Sequence, residues 1–194
     1  MVTNFKQLLN SSPGEESPKR KEHKGKTVFL FDRFPIKDKD ILIFSIEKTN
    51  SKYLQGFSIG VFDGYLKIEG DPTPRRKYAN VLFWEDSEAL DIKNIEIKVF
   101  TESDHICINN IWEIEVFKKE KYFVAENRWG TIQVEQGEKV PCYVDSGEWA
   151  KGNCNGAAMY SEDIPNGKRY FCNDGDEDDD FDDIVFSVRK VAPS

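Results

Sequence analysis

Histidine is nearly missing from this chain, with only His23 and His105 among 194 residues. His23 lies in a polar stretch, which leaves one histidine in the folded body, too few for a catalytic triad or a histidine metal cluster. The four cysteines, Cys107, Cys142, Cys154 and Cys172, include no C-x-x-C pair and are too few for a disulfide scaffold. A zinc site is therefore not expected; one disulfide in the C-terminal third and buried free thiols both remain open. No apolar run approaches the roughly 18 residues of a membrane span. There is no Gly-rich loop ahead of a helix, so the phosphate cradle is absent. The basic patch Pro18–Lys26 is small, and a body whose charges outside the acidic run sum to about zero is a poor partner for nucleic acid. Cys107 and His105 are two residues apart, but a packed cysteine beside a partly exposed histidine accounts for them better than a nucleophile and its base. Likewise Glu113 and Glu115 alternate with Trp112, Ile114 and Val116, as on a solvated strand face. No enzyme is expected.

Aromatic residues, by contrast, are plentiful: 14 Phe, 7 Tyr and 4 Trp. They fall in short alternating runs such as Thr27–Phe31, Asp40–Lys48, Gly56–Gly70 and Tyr78–Glu85, which read as strands. Asp63-Gly64 sits centrally in Gly56–Gly70 and signals a hairpin. Asn94–Phe117 reads as three strands with turns at Glu102–Asp104 and at Asn109-Asn110. Ser87–Ile92 is the best short helix, and no longer apolar stripe of period 3.6 occurs. Residues 1–26, rich in Ser, Pro, Glu and Lys, read as a flexible arm. Trp84 and Trp112 fall in apolar strands and are expected in the core. Trp149, in the Gly-rich stretch Asp145–Gly156, is the candidate for contact with a ligand or partner.

The net charge of −8 has one source. Residues 172–183, CNDGDEDDDFDD, contain Asp174, Asp176, Glu177, Asp178, Asp179, Asp180, Asp182 and Asp183, with no Lys or Arg among them. Neighbouring carboxylates about 4 Å apart repel by roughly 1 kcal/mol even in water. The run is followed at once by the strand-like Ile184–Val191, so it reads as a loop closed by structure. Carboxylates without His or Cys favour hard divalent cations, and their crowding favours Ca2+ over Mg2+, which keeps more of its waters.

The segment MYSEDIPNGKRYFC, followed by a loop and FDDIVFSVRKV, resembles the second Greek-key motif of a βγ-crystallin domain. Tyr160 through Gly167 has the aromatic-x6-Gly spacing of that family, and Phe123 through Gly130 repeats it 37 residues earlier. Phe181, Asp182, Asp183 and Ser187 match the positions that introduce the motif's last strand. The resemblance implies a glycine at positive φ, two Greek keys over about residues 118–194, and a Ca2+ site begun by Asp182 and Asp183 and completed by Ser187. Phe186 stands where a further hydroxyl ligand belongs. The same loop is also similar to the D-G-x-x-x-D-[FY]-N-D run of calcium-dependent bacterial lectins. That likeness implies Asp174, Asp178, Asp180, Asp182 and Asp183 as ligands, and sugar hydroxyls bound directly to the ion.

Together these readings predict an all-β protein with an arm (1–26), a β-sandwich (27–117) and a βγ-crystallin-like double Greek-key domain (118–194). Its expected cofactor is Ca2+, held by Asp174, Asp176, Asp178, Asp180, Asp182, Asp183 and Ser187. Its expected partners are other protein subunits or, alternatively, glycans.

Overall fold

Alternation sorts the longer strands into an inner and an outer face. In β4 (Ile41–Thr49), Leu42, Phe44 and Ile46 are buried and the residues between them only partly so. In β8 (Ile95–Thr101), Ile95, Ile97 and Val99 point inward in the same way. A sheet apolar on one face must cover that face, and here a second sheet does so. A computed structural model of the chain describes residues 5–10, 18–61, 63–70, 80–88, 90–115, 120–124, 130–134, 137–142, 156–175 and 178–191.

The chain is all-β, a sandwich of antiparallel sheets. The larger sheet has six strands in the order β13 (Ala158–Ile164), β14 (Gly167–Asn173), β15 (Ile184–Lys190), β4, β8 and β6 (Gly64–Ile68). The second runs β12 (Lys139–Cys142), β9 (His105–Glu115), β5 (Gln55–Gly60) and β7 (Asn80–Trp84), with β3 (Asp32–Pro35) also paired to β9. Two small pairs stand apart, β1 (Lys21–His23) with β2 (Lys26–Val28), and β10 (Glu120–Val124) with β11 (Gly130–Val134). A short helix, α1, spans Phe5–Asn10. Phe57 of β5 anchors the core. Its ring stacks on Phe83 at 4.9 Å within its own sheet, and on Phe44 at 5.1 Å and Phe186 at 4.8 Å in the opposite one.

One buried charge also ties the sheets together. Asp32 of β3 is fully buried and accepts hydrogen bonds from Lys168 Nζ and Tyr170 Oη of β14, both at 2.9 Å, and pairs with Arg20. Burial pushes its carboxyl up, but the bonds from Lys168 and Tyr170 and the Arg20 charge outweigh that and hold it below the usual range. Burial, with Asp32 beside it, drives the Tyr170 hydroxyl well above its ordinary value.

Several expectations are corrected. The division at Phe117 does not separate two units. β15 pairs with β4 over Ile184–Lys190, and one core cluster joins Phe44 and Phe57 to Met159, Tyr170 and Phe186. The C-terminal strands thus complete the sheet of the N-terminal half rather than closing on themselves. Nor is Gly56–Gly70 a hairpin, because β5 lies in one sheet and β6 in the other, so the chain crosses the sandwich between them. Asp63 takes φ 51° there, and Gly64 is required because a Cβ would sit 2.1 Å from the Phe100 carbonyl oxygen. Asn109 and Asn110 make no turn; they lie inside continuous β9, where Asn110 donates to the Asn173 carbonyl at 2.9 Å and Asn109 to Ser58 Oγ at 3.3 Å. Ser87–Ile92, where it is described, bends and enters a turn at Ile92 rather than forming a helix. Trp112 is buried, but Trp84 only partly.

The described part of the arm is ordered against the body. Phe5 and Leu9 of α1 are fully buried with Val28, Ala158, Tyr160 and Phe181. Lys24 (φ 48°) and Gly25 (φ 78°) turn β1 into β2, the backbone pattern of a two-residue hairpin with both central residues left-handed. Beyond β2, Phe29 exchanges backbone hydrogen bonds with Met159 of β13, at 2.9 and 2.8 Å.

Gly167 has a different purpose from the one its spacing implied. The left-handed residue of the β13–β14 turn is Asn166, at φ 60°, preceded by Pro165 as in a type II turn. Gly167 is needed because a Cβ there would lie 1.8 Å from the Val188 carbonyl oxygen of β15. Gly167→Ala is expected to cost about 1–3 kcal/mol by forcing β14 from β15. Asn166→Gly, which meets only a φ requirement, should stay within about 1 kcal/mol of wild type. Urea unfolding of the two variants separates close approach from turn conformation.

Candidate metal centre

The acidic loop joins β14 to β15 and is fixed at both ends by amides. Asn173 Oδ1 accepts the backbone N–H of Phe181 at 2.7 Å, and the Asn50 N–H donates to the Asp183 carbonyl at 3.0 Å. Between these points Asp179 and Phe181 take φ 65° and 61°. Phe at positive φ is uncommon and costs of order 1–3 kcal/mol, so surrounding structure must impose it. Its ring is buried against Phe5 and Tyr160, both at 5.4 Å, and that burial holds the turn. Asp180 Oδ1 also accepts the Asp182 N–H at 3.1 Å, a local Asx turn.

The carboxylates then have separate fates. Asp182 points away to Lys48 and accepts from Asn50 Nδ2 at 3.0 Å; Lys48 and then Asn50 hold its carboxyl below the usual range. Asp179 meets His23 Nε2 at 2.9 Å and Lys24 Nζ at 2.5 Å. Burial pushes its carboxyl up, and these partners more than reverse that. Asp174 is fully buried, accepting from Ser51 Oγ at 2.5 Å and Gln55 Nε2 at 3.0 Å.

Asp178, Asp180 and Asp183 converge. One oxygen from each lies within 4.8 Å of the others, and among the described residues none of the three forms an ion pair with Lys, Arg or His. Asp178 and Asp180 are exposed, while Asp183 is 3% exposed and accepts the Asp174 N–H at 2.8 Å. Burial, and then the charges of Asp174, Asp178 and Asp180, push the Asp183 carboxyl up to about 7 despite that bond. Burial likewise raises Asp180, with Asp178 and Asp182 adding repulsion. Oxygens bound to one Ca2+ at about 2.3–2.6 Å lie no more than about 5 Å apart, so this donor set fits that ion.

The structure therefore brings together three of the residues expected as ligands and places others elsewhere. Asp182 is turned to Lys48, and Asp174 to Ser51 and Gln55. Ser187 is buried inside β15, opposite Arg169 and Ser45, and at about 3.3 Å per residue lies roughly 10 Å beyond Ile184. It is too far along the strand to share an ion with Asp183. Asp176 and Trp149 lie outside the described residues. Cys107 and Cys172 are free thiols, both pushed up by burial, Cys172 well above its ordinary value; neither is an activated nucleophile. His105 is engaged by Asp104 at 2.6 Å, and Glu113 by Lys139 at 3.4 Å. Sequence reading missed His23, Lys24, Lys48, Asn50 and Asn110, which hold the loop from well over a hundred residues away or, for Asn110, from an unsuspected strand interior.

The chain matches no protein-family model, no curated protein and no solved structure.

With chelator present, Asp183 sets a pH dependence of definite sign. Its folded value, about 7, exceeds the unfolded value near 3.8. The folded state then binds the proton more tightly, so this group's contribution to stability falls as pH rises from about 4 to 7. Asp183→Asn, whose oxygen still accepts the Asp174 N–H, should raise the melting temperature at pH 8 by roughly 2–4 °C per kcal/mol gained. At pH 4 it should change little. Thermal scans in EDTA at the two pH values check this.

Proposed function

We propose that this protein is a non-enzymatic β-sandwich module whose acidic loop binds Ca2+, the ion stabilising the fold for assembly with other protein subunits. The observation that carries the reading is the convergence of Asp178, Asp180 and Asp183 without a cationic partner among the described residues, while Asp179 and Asp182 beside them are neutralised. A divalent cation there relieves the repulsion that raises the Asp180 and Asp183 carboxyls. The three carboxylates supply part of a six- to eight-oxygen shell, and backbone carbonyls and water supply the rest. From the likeness to βγ-crystallins the proposal takes only the class of ion, since Tyr160, Gly167, Phe181 and Asp182 serve packing and ion pairing here.

A second reading, a calcium-dependent lectin, is favoured by the exposure of Asp178 and Asp180. An ion held by two exposed carboxylates keeps coordination positions facing solvent, which vicinal sugar hydroxyls can occupy.

Millimolar Ca2+ should raise the melting temperature by several degrees over EDTA, since ligand at one hundred times its Kd stabilises by about 2.7 kcal/mol. Equal Mg2+ should do much less. Asp180→Asn with Asp183→Asn should abolish the shift, and Ser187→Ala should leave it. An unchanged wild-type melting temperature would sink the proposal. Light scattering and a glycan array, each run in Ca2+ and in EDTA, then distinguish assembly from sugar binding.

A further inference from the structure

The acidic loop does not hold its shape alone. α1 and the β1–β2 hairpin lie against it, gripping the residue between two members of the carboxylate cluster. His23 Nε2 lies 2.9 and 3.1 Å from the two Asp179 oxygens, and Lys24 Nζ 2.5 Å from one of them. Behind this contact Phe5 stands edge-on to the His23 ring at 4.8 Å and to Phe181 at 5.4 Å. Lys26 Nζ sits 3.9 Å from the centre of the Tyr160 ring and 5.5 Å from that of Phe181. Among the described loop residues, Asp179 and Phe181 have left-handed backbone, and both are held by this segment.

We propose that residues 5–10 and 18–26 form a strap whose docking sets the conformation of the acidic loop and, through it, the loop's affinity for cations. The part concerning cations rests on the reading of the loop as a Ca2+ site. Two effects of the strap oppose each other. Lys24 brings positive charge towards the cluster, but its side chain is 65% exposed, so solvent screens that repulsion. Phe5 is fully buried, and its contact with Phe181 holds a backbone conformation that a bulky residue otherwise avoids. Packing outweighs screened charge, so strap and ion reinforce each other. Because such coupling is reciprocal, the ion should also tighten the strap.

The test uses the full chain and two variants, Phe5→Ala and His23→Ala. In EDTA, hydrogen–deuterium exchange across residues 174–183 should speed up in both, whether or not the loop binds metal. By calorimetric titration with CaCl2, Phe5→Ala should weaken binding about tenfold, in the lower part of the range for such coupling. Added Ca2+ should slow exchange at residues 5–10 and 20–26 of the wild type. Should Phe5→Ala fail to fold, His23→Ala removes one of the strap's two side-chain contacts to Asp179, leaving that of Lys24, and is expected to weaken binding more modestly. Unchanged loop exchange in the folded variants overturns the strap itself. Wild-type binding that persists at equal or higher affinity in the variants overturns the coupling and leaves the Ca2+ site standing. A wild type that binds no Ca2+ overturns the site, and the coupling with it.

Discussion

The pairing of β15 with β4 is the contact on which the rest depends. It joins Ile184–Lys190 to Leu42–Thr49, strands separated by most of the chain, and inserts β15 between β14 and β4. Through it Phe186 reaches Phe57, and the core becomes continuous from Phe29 to Val188. The same pairing sets Asp183 beside Asn50, and Asp182 beside Lys48, at the end of β4. Without that register the acidic loop would have neither its fixed C-terminal end nor the cation that turns Asp182 outward. The architecture and the candidate centre are thus consequences of one long-range ladder, whose loop-closure entropy is offset only when both sheets pack.

Repulsion within residues 172–183 was legible in the sequence, but its resolution was not. A run of carboxylates can be relieved by a bound ion, by solvent or by distant cations, and the fold places distant cations at two of the positions. Lys48 and the His23–Lys24 pair are 134 and about 155 positions from their partners, beyond any local pattern. What they leave behind among the described residues, Asp178, Asp180 and Asp183, is a smaller and better-defined cluster than the run suggested. Asp178 and Asp180 flank the left-handed residue Asp179, and Asp183 joins them beyond a second one, Phe181, so no simple period of the sequence announces the cluster.

The same contrast runs through the fold. Strands such as Ile41–Thr49 and Ile95–Thr101 were readable because burial on one face imposes a period of two. Asp63-Gly64 misled because a left-handed residue followed by glycine serves equally well to cross between sheets, and sequence alone does not say which strand comes next in space. Asn109-Asn110 looked like a turn because exposed asparagines favour turns; here one amide hydrogen-bonds the end of β14 from inside the sandwich. The arm was read from its composition, in which two buried side chains, Phe5 and Leu9, carry little weight among many polar neighbours.

The backbone bridge between Phe29 and Met159 has a bearing on solubility. β13 is the outermost strand of the six-stranded sheet, and an open edge offers unpaired amides to any passing strand. Phe29 takes up the Met159 amide and carbonyl, covering the buried, apolar start of that edge. The remainder, towards the turn, carries exposed Glu162 and Asp163, charges that discourage another strand from adding. The amino-terminal segment thus leads into a cap on one border of the sheet, and pulling it away would uncover a sticky edge as well as a loop.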